Sequence, residues 1–166
     1  MKAYYGYLRS SFFLIGFVKV YDKFVRVGFY RSLGEFEDKL KTYQPTPKFN
    51  PGEFNDFIRD LRKYLSGRYA VDFNYLFRLE GTSFQQKVWM KVREIPYGEK
   101  RSYKWVAERI GKPKACRAVA GALAKNPLVL IIPCHRVVRT CGAVAGSGFG
   151  RRVREYLLKL EGAFGG

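Results

Sequence analysis

A thiol and the only histidine of the chain lie side by side in Pro133-Cys134-His135-Arg136, which ends the apolar run Leu128 to Ile132. A free cysteine, with a pKa of about 8.5, is only a few per cent thiolate near neutral pH, so a cysteine nucleophile needs a base nearby. His135 is the only imidazole that can serve. The pair indicates nucleophilic chemistry at Cys134; the alternative is a small buried cysteine beside a core histidine.

Cys134 and His135 can share a proton only if the backbone turns at this point or a water links them, because neighbouring side chains on a strand point to opposite faces. Pro133 favours a turn. The second imidazole nitrogen also needs an acceptor. Glu161 is the candidate, since it ends a predicted helix, where the helix dipole disfavours a carboxylate without a partner. We expect a relay of these three side chains.

The positive charge is concentrated in the second half of the chain. The formal net charge is +17, of which residues 1–80, with 14 basic and 9 acidic residues, carry +5, and residues 81–166, with 17 basic and 5 acidic residues, carry +12. Arginines such as Arg117 and Arg136 lie among small residues, which favours contact with phosphates. A solvated basic surface is the alternative. We predict nucleic acid as the partner.

Several classes of protein are disfavoured by composition. No apolar run approaches the ~20 residues of a membrane span, and the start Met1-Lys2-Ala3-Tyr4 lacks a signal-peptide stretch, so we expect a cytoplasmic protein without membrane contact. With three sparse cysteines and one histidine, we expect no metal site, and we expect no cofactor. Cys116 and Cys141 can form a disulfide only if their Cα atoms lie within ~7 Å. We expect a monomer.

The first half of the chain has the pattern of a small sheet with a helix. Residues 4–31 are rich in Tyr, Phe, Val and Ile and predict antiparallel strands. Pro45, Pro47 and Pro51 mark a loop. A short strand is expected around Phe73 to Leu79. One apolar stripe predicts a helix that stops before Gly67; it consists of Phe54, Phe57, Ile58, Leu61, Tyr64 and Leu65.

The second half predicts mainly helices. Ser83 can cap the first, Ser102 caps a second at Tyr103 to Arg109, and a third runs from Lys114 to Lys125. The tight turn between the last two is typical of a helix-turn-helix. Small residues make the third helix slim enough to approach a groove, although they also permit close helix packing; they include Ala118 and Gly121.

A glycine-rich loop, residues 142–150, follows, and its backbone amides can face a ligand. From the loop we assign Val144, Ser147 and Gly148 to a substrate pocket. A last helix then leads to Glu161. The fold class predicted is α+β: an N-terminal antiparallel sheet-plus-helix domain, 1–80, and a mainly helical C-terminal domain with a helix-turn-helix, 81–166.

The second half also resembles the O6-alkylguanine-DNA alkyltransferase family, whose members move an alkyl group from guanine onto a cysteine. The resemblance is carried by blocks in the same order around PCHR: GTSFQQKVW (81–89), IPYGE (95–99), SYKWVAERIG (102–111), CRAVAGAL (116–123), NPLVLIIPCHRVV (126–138), GAVAGSGFG (142–150) and LLKLEG (157–162).

The resemblance implies roles for individual residues. Cys134 matches the alkyl acceptor, His135 the base that acts through water, and Glu161 the carboxylate behind it. Asn126 matches the residue that braces the active-site turn. For DNA it implies that Tyr103 crowds the phosphate and helps to rotate the damaged nucleotide, that Arg117 fills the vacated place in the stack, and that the recognition helix enters the minor groove of double-stranded DNA.

Two departures and two alternatives accompany this resemblance. The family commonly has tyrosine where this chain has Ser147. Some members bind zinc in the first domain through Cys and His, and this chain has neither there. A cysteine hydrolase or acyltransferase would use Cys134 and His135 with an oxyanion hole and would turn over. A helix-turn-helix regulator would need no thiol and would favour one DNA sequence.

Overall fold

Three long strands lie at the start of the chain, which is rich in aromatic and β-branched residues. They are β1 (Ala3–Ser10), β2 (Phe13–Val20) and β3 (Lys23–Tyr30), and neighbouring strands pair antiparallel, as predicted. The computed structural model describes residues 2–163. By its contacts the chain divides into two compact units: unit 1 runs to Arg78 and includes Pro127–Val129, and unit 2 contains Leu79–Asn126 and the chain from Leu130 onward.

The sheet of unit 1 is mixed, which corrects the prediction of a purely antiparallel sheet. Helix α1 (Leu33–Leu40), capped by Ser32, and the loop after it carry the chain to β4 (Lys48–Phe49). The strand order is β3-β2-β1-β4, and β4 pairs parallel with β1. A parallel neighbour requires such a crossover connection, whereas a hairpin gives an antiparallel one.

The predicted stripe forms helix α2 (Asn55–Leu65), and Phe57, Leu61 and Tyr64 are buried. Its rings pack against the strands; the Phe57 ring centroid lies 4.6 Å from that of Phe24 and 5.1 Å from that of Phe17. This helix and the sheet enclose an aromatic core.

The strand predicted around Phe73 to Leu79 is wrong, because only an isolated bridge joins Phe77 to Phe24. The same edge of β3 makes a second isolated bridge, between Val27 and Leu128. Because two separate segments share this edge, neither extends into a ladder.

Unit 2 is mainly helical. The helices are α3 (Ser83–Val92), α4 (Tyr103–Arg109), α5 (Cys116–Ala124) and α6 (Gly148–Leu160). Thr82, rather than Ser83, caps α3 in a capping box with Gln85, and Ser102 caps α4 as predicted. Helix α5 begins at Cys116, two residues after the expected start. Two short strands, β5 (Arg101–Ser102) and β6 (Val137–Val138), pair in parallel.

A buried tryptophan joins two helices of unit 2, since Trp89 Nε1 on α3 donates to the carbonyl of Ala122 on α5 at 2.9 Å.

The predicted domains 1–80 and 81–166 remain a proposal. The contacts within the chain divide it after Arg78 and assign Pro127–Val129 to unit 1. Within residues 2–163, no helix is both long and apolar enough to cross a membrane.

Candidate active site

Cys134 lies on a one-turn 3₁₀ helix, Cys134–Arg136, at the end of a buried segment. Leu130, Ile131 and Ile132 are buried, and Pro133 then turns the chain. The turn is closed by the amide of Arg136, which donates to the carbonyl of Pro133 at 3.0 Å. The thiol is half-buried. A turn at this point is one of the two arrangements, the other being a bridging water, that allow neighbouring cysteine and histidine side chains to share a proton.

Asn126 holds this turn from the preceding segment. Its Nδ2 donates to the carbonyl of Ile132 at 2.8 Å, and its side chain also hydrogen-bonds the Cys134 thiol. Asn126 therefore contacts the chain on both sides of Pro133, and its bracing role stays a prediction.

His135, Arg136 and Glu161 are buried together, and with the half-buried Gly98 they form a group that we call the Glu161 cluster. His135 Nε2 lies 2.6 Å from Glu161 Oε2. Arg136 donates to both carboxylate oxygens, from Nε to Oε1 at 2.9 Å and from Nη2 to Oε2 at 3.1 Å, and the amide of Gly98 donates to Oε1 at 3.0 Å. A carboxylate with this many donors stays ionised.

Arg136 was predicted to contact DNA, and the structure corrects this. Its side chain is buried, and its guanidinium binds Glu161 and, through Nη1, the carbonyl of Ile95 at 2.8 Å. The donors that would meet a phosphate are therefore used inside unit 2, and Arg136 instead fixes the carboxylate behind His135.

The electrostatics of the Glu161 cluster favour a neutral imidazole beside an anionic carboxylate. Burial lowers the pKa of His135, against the opposing effect of Glu161. Burial alone would raise the pKa of Glu161, but the hydrogen bonds and charges of His135 and Arg136 together hold it well below its usual range. Because an ionised carboxylate only accepts hydrogen bonds, the proton of neutral His135 lies on Nε2, and Nδ1 is the basic nitrogen.

Burial raises the pKa of the Cys134 thiol, while the hydrogen bond from Asn126 and the charge of Arg154 oppose this effect. A raised pKa means that the resting thiol is protonated at neutral pH. A base is therefore needed before the sulfur can attack a carbon.

The thiol opens onto a pocket of about 210 Å³, which we call the thiol pocket. It is lined by Tyr103, Ala120, Leu123, Ala124, Cys134, Ala145, Gly146 and Arg154. Tyr103, one of the predicted residues, shares the pocket with the sulfur, and burial raises the pKa of its hydroxyl, so that group stays neutral and can donate a hydrogen bond.

The three residues assigned to a substrate pocket do not line the thiol pocket. Val144 is buried in a core cluster with Val138 and Leu158. Ser147 and Gly148 are exposed where α6 begins. Ala145 and Gly146 of the same glycine-rich loop line the thiol pocket instead. Side-chain direction in such a loop follows backbone angles that no periodicity reveals.

Helix α5 has one buried face and one exposed face. Val119, Ala122 and Leu123 are buried, while Arg117, Ala118 and Gly121 are exposed. The residues predicted to approach DNA therefore lie on the accessible side of the predicted recognition helix.

This geometry can be compared with known proteins. The family model for the DNA-binding domain of 6-O-methylguanine DNA methyltransferase matches residues 83–163. A methylated-DNA–protein-cysteine methyltransferase of Methanosarcina barkeri (strain Fusaro / DSM 804) is 47% identical over 108 residues, which cover 65% of this chain and 68% of that protein. The chain belongs to this methyltransferase family.

Solved structures of family members match nearly the whole chain. The crystal structure of the Mycobacterium tuberculosis O6-methylguanine methyltransferase is 32% identical with a TM-score of 0.83 and covers 97% of this chain and 93% of that chain. A crystal structure of the Mycobacterium tuberculosis OGT in complex with DNA also has a TM-score of 0.83 at 32% identity, and covers 96% of this chain and 93% of that chain. The fold class predicted from the sequence is confirmed.

Sequence reasoning missed two features of this family member's site. Arg154, on α6, lines the thiol pocket and donates from Nη2 to the carbonyl of Ala145 at 2.6 Å. Ala145 and Gly146 form the loop side of the pocket. The available signal for Arg154 was its place one residue after Val153, on a helix whose other face is buried, but many surface arginines share that pattern.

The other two cysteines take no part in the thiol pocket. Cys116 is half-buried, Cys141 is exposed, and both are free thiols, so the structure contains no bond between them. Among residues 2–163, no group of three or more His, Cys, Asp or Glu residues is arranged to hold a metal ion.

Proposed function

We propose that this protein repairs DNA by moving an alkyl group from O6 of guanine to Cys134, once per protein molecule. The observation that carries the proposal is that Cys134 lines a pocket and is followed in the chain by a histidine paired with a carboxylate, in a member of the methylated-DNA–protein-cysteine methyltransferase family.

The relay prepares the sulfur. Nδ1 of His135 accepts the thiol proton through a water, because Nε2 is held as a donor by Glu161. The imidazolium that forms is stabilised by the anionic carboxylate, and Arg136 and Gly98 keep that carboxylate in place. Asn126 keeps the turn of Cys134 rigid and stabilises the thiolate through its hydrogen bond.

The transfer itself is a displacement at carbon. The thiolate attacks the alkyl carbon, a C–S bond forms, the C–O6 bond breaks, and its electron pair remains on the guanine. The proton taken from the thiol replaces the alkyl group on the base, so no external oxidant, reductant or cofactor is required. The thioether has no good leaving group, and the reaction therefore ends after one event.

The substrate must leave the duplex to reach the thiol pocket. A stacked base cannot present O6 to a recessed sulfur, and extruding it costs a few kcal/mol of stacking and pairing. The exposed face of α5 with Arg117, Ala118 and Gly121 is the surface that we assign to the minor groove, with Tyr103 at the neighbouring phosphate. Each relay group comes from one chain, so a monomer suffices. We also propose the cytoplasm as its location, since the reaction needs access to chromosomal DNA.

The proposal is tested by intact mass and peptide mapping. Incubation with duplex DNA that contains O6-methylguanine should add one methyl group per protein, located on Cys134. Cys134→Ser should accept no methyl group yet keep DNA affinity, because affinity depends mainly on phosphate contacts. Cys116→Ser and Cys141→Ser are the matched controls and should react normally. Repeated turnover, or label on another cysteine, would contradict the proposal.

A further inference from the structure

One cation lies in the thiol pocket that the relay does not use. Arg154 lines the pocket together with Cys134 and Tyr103, and its Nη2 donates to the carbonyl of Ala145 at 2.6 Å. A guanidinium is planar and always charged, so a single well-placed arginine can hold a loop and supply a fixed charge at the same time.

The loop is shaped around this guanidinium. Gly146 has a φ of +86°, and a Cβ on it would lie 2.6 Å from Arg154 Nη2, so the guanidinium would have to move to make room for it. A Cβ on Gly150 would lie 3.4 Å from Arg154 Nη1. Glycine at position 146 thus gives the backbone its left-handed turn and leaves the space that the arginine occupies.

We propose that Arg154 is a positioning residue of the transfer reaction: it fixes Ala145 and Gly146 as one wall of the thiol pocket and sets a permanent positive charge facing the attacking sulfur. This inference rests on the proposed function, because it assigns the attack to Cys134.

The groups around the sulfur come from several elements. Tyr103 on α4 and Arg154 on α6 face it across the pocket, and Asn126 hydrogen-bonds it. Burial raises the pKa of the Tyr103 hydroxyl, and the charges of Arg154 and of Arg139, which follows β6, oppose this effect. His135 is directed into the Glu161 cluster, and burial lowers its pKa, so it adds no positive charge beside the sulfur. Arg154 is therefore the cation that counteracts the effect of burial on the pKa of Cys134.

A cation at this position stabilises negative charge first on the attacking sulfur and then on the departing guanine. Before the attack, negative charge lies on sulfur. As the C–O6 bond breaks, the charge moves to the guanine, which occupies the same pocket until it receives the proton from the relay. A fixed charge needs no reorganisation during this movement.

The first experiment separates charge from structure. In a Cys116→Ser/Cys141→Ser background, the pH dependence of Cys134 alkylation by iodoacetamide is measured for Arg154→Met, Arg154→Lys and the control Arg151→Met. Arg151 lies on the same helix and pairs with exposed Glu155. We expect the midpoint of the Met variant to move to higher pH, with alkylation at least about threefold slower at neutral pH, since only the thiolate reacts. Arg154→Lys should restore most of the profile, and Arg151→Met should match the parent.

The second experiment tests the loop contact. Gly146→Ala should slow reaction with free O6-benzylguanine, because its methyl group displaces the guanidinium. In the Arg154→Met background the same substitution should have a smaller effect, which a double-mutant cycle measures as coupling. Additive effects would show that Gly146 acts only through backbone strain and would overturn the wall assignment.

The outcomes for Arg154 and for the proposed function are distinguishable. An unmoved pH profile would end the inference. A Met variant slowed only on duplex DNA would also end it and would make Arg154 a phosphate contact. In both cases Cys134 could still accept alkyl groups. A shifted profile in a protein that takes no methyl group from DNA would support the role of Arg154 and refute the proposed reaction.

Discussion

The two units of the molecule differ in whether charged side chains are buried. Unit 1 keeps its ion pairs at the surface, for example Lys41 with Asp38 at 3.3 Å, and fills its interior with rings. Unit 2 buries His135, Arg136 and Glu161, the buried charged and polar residues found between positions 2 and 163.

The difference separates what stabilises the fold from what performs the reaction. Exposed ion pairs contribute about 0–1 kcal/mol each to stability. The packing of aromatic rings requires no ionisable or nucleophilic side chain. A buried ion pair is seldom the most stabilising choice, because removing charges from water costs several kcal/mol per ion. Its presence in unit 2 is explained by a need for an ionised carboxylate behind a neutral imidazole. The stability of unit 2 is thus tied to its chemistry, and that of unit 1 is not.

The largest effect is expected for Glu161→Gln. The substitution leaves the buried Arg136 without its anionic partner, which should reduce the free energy of unfolding by about 3–5 kcal/mol. It also removes the negative charge that stabilises the imidazolium formed when His135 takes the thiol proton, so the transfer rate should fall by about a hundredfold or more, within the range of general acid–base catalysis. Urea unfolding and single-turnover kinetics with a methylated duplex measure both quantities.

The control for this substitution is Glu155→Gln on the same helix, where an exposed carboxylate pairs with Arg151 at 2.6 Å. Its stability should change by less than about 1 kcal/mol and its rate should not change. A Glu161→Gln variant with normal stability and rate would remove the basis of the comparison between the units.

In unit 1 the expected change concerns stability alone. Phe57 is buried among Phe17, Phe24 and Phe73, and Phe57→Ala should cost about 3–5 kcal/mol. Where the variant is still fully folded, its rate with free O6-benzylguanine should equal that of the parent. Phe49→Ala, at a side chain that is 54% exposed, is the control and should be nearly neutral. A slower rate in folded Phe57→Ala would mean that the core of unit 1 controls the thiol.

Acid should destabilise unit 2 first. Burial lowers the pKa of His135 in the folded state, so below about pH 6.5 the unfolded chain binds a proton that the folded one does not, and stability falls. The folded pKa of Glu161 is also depressed, so its contribution is complete above the unfolded value of about 4.3 and is lost progressively below it.

Both tryptophans, Trp89 and Trp105, lie in unit 2, so their fluorescence reports its acid unfolding, while amide NMR signals of β2 report unit 1. We expect the fluorescence transition at the higher pH. Coincident transitions would show that the units unfold as one cooperative structure.

The same contrast explains what the sequence could predict. Composition predicted the β-strands of residues 4–31, and Ser102 predicted the cap of α4. The spacing of apolar residues predicted the stripe of α2, because burial of one face imposes a regular spacing. Cys134, His135 and Glu161 could be predicted as a set because the chain has a single histidine, and the second nitrogen of its imidazole needs a hydrogen-bond acceptor. Helix α1 has only eight residues, too few for a clear pattern.

Contacts between distant segments could not be predicted in this way. Arg136 has the sequence context of a phosphate ligand, and only the approach of Glu161, 25 positions away in sequence, buries it. Arg154 and the positions of Val144 and Ser147 depend on how α6 meets the glycine-rich loop. The short pairing of β4 beside β1 likewise depends on the path of the chain after α1.

A smaller effect is expected for Arg117→Ala. Arg117 is exposed on α5, and if its side chain fills the place of the rotated nucleotide, its loss removes support for the extruded state. A loss of about 1.4 kcal/mol corresponds to a tenfold slower reaction with duplex DNA at saturating protein. The rate with free O6-benzylguanine should be normal, because a free base leaves no gap. Equal slowing with both substrates would instead make Arg117 part of the thiol pocket.

The smallest change is expected for Gly121→Ala, and it should move stability and binding in opposite directions. A Cβ on Gly121 would meet nothing within 4 Å, and glycine inside a helix is less stable than alanine by about 0.5–1 kcal/mol, so the variant should be slightly more stable in urea. If α5 enters the minor groove, the added methyl group lies between the helix and the DNA, and duplex affinity should fall while the rate with the free base is unchanged. Gly111→Ala is the matched control: it also has open space, but its φ of +78° makes alanine unfavourable, so it should lose stability. Unchanged duplex affinity in Gly121→Ala would show that this face of α5 does not touch the DNA, and the groove assignment would have to move to another surface of unit 2.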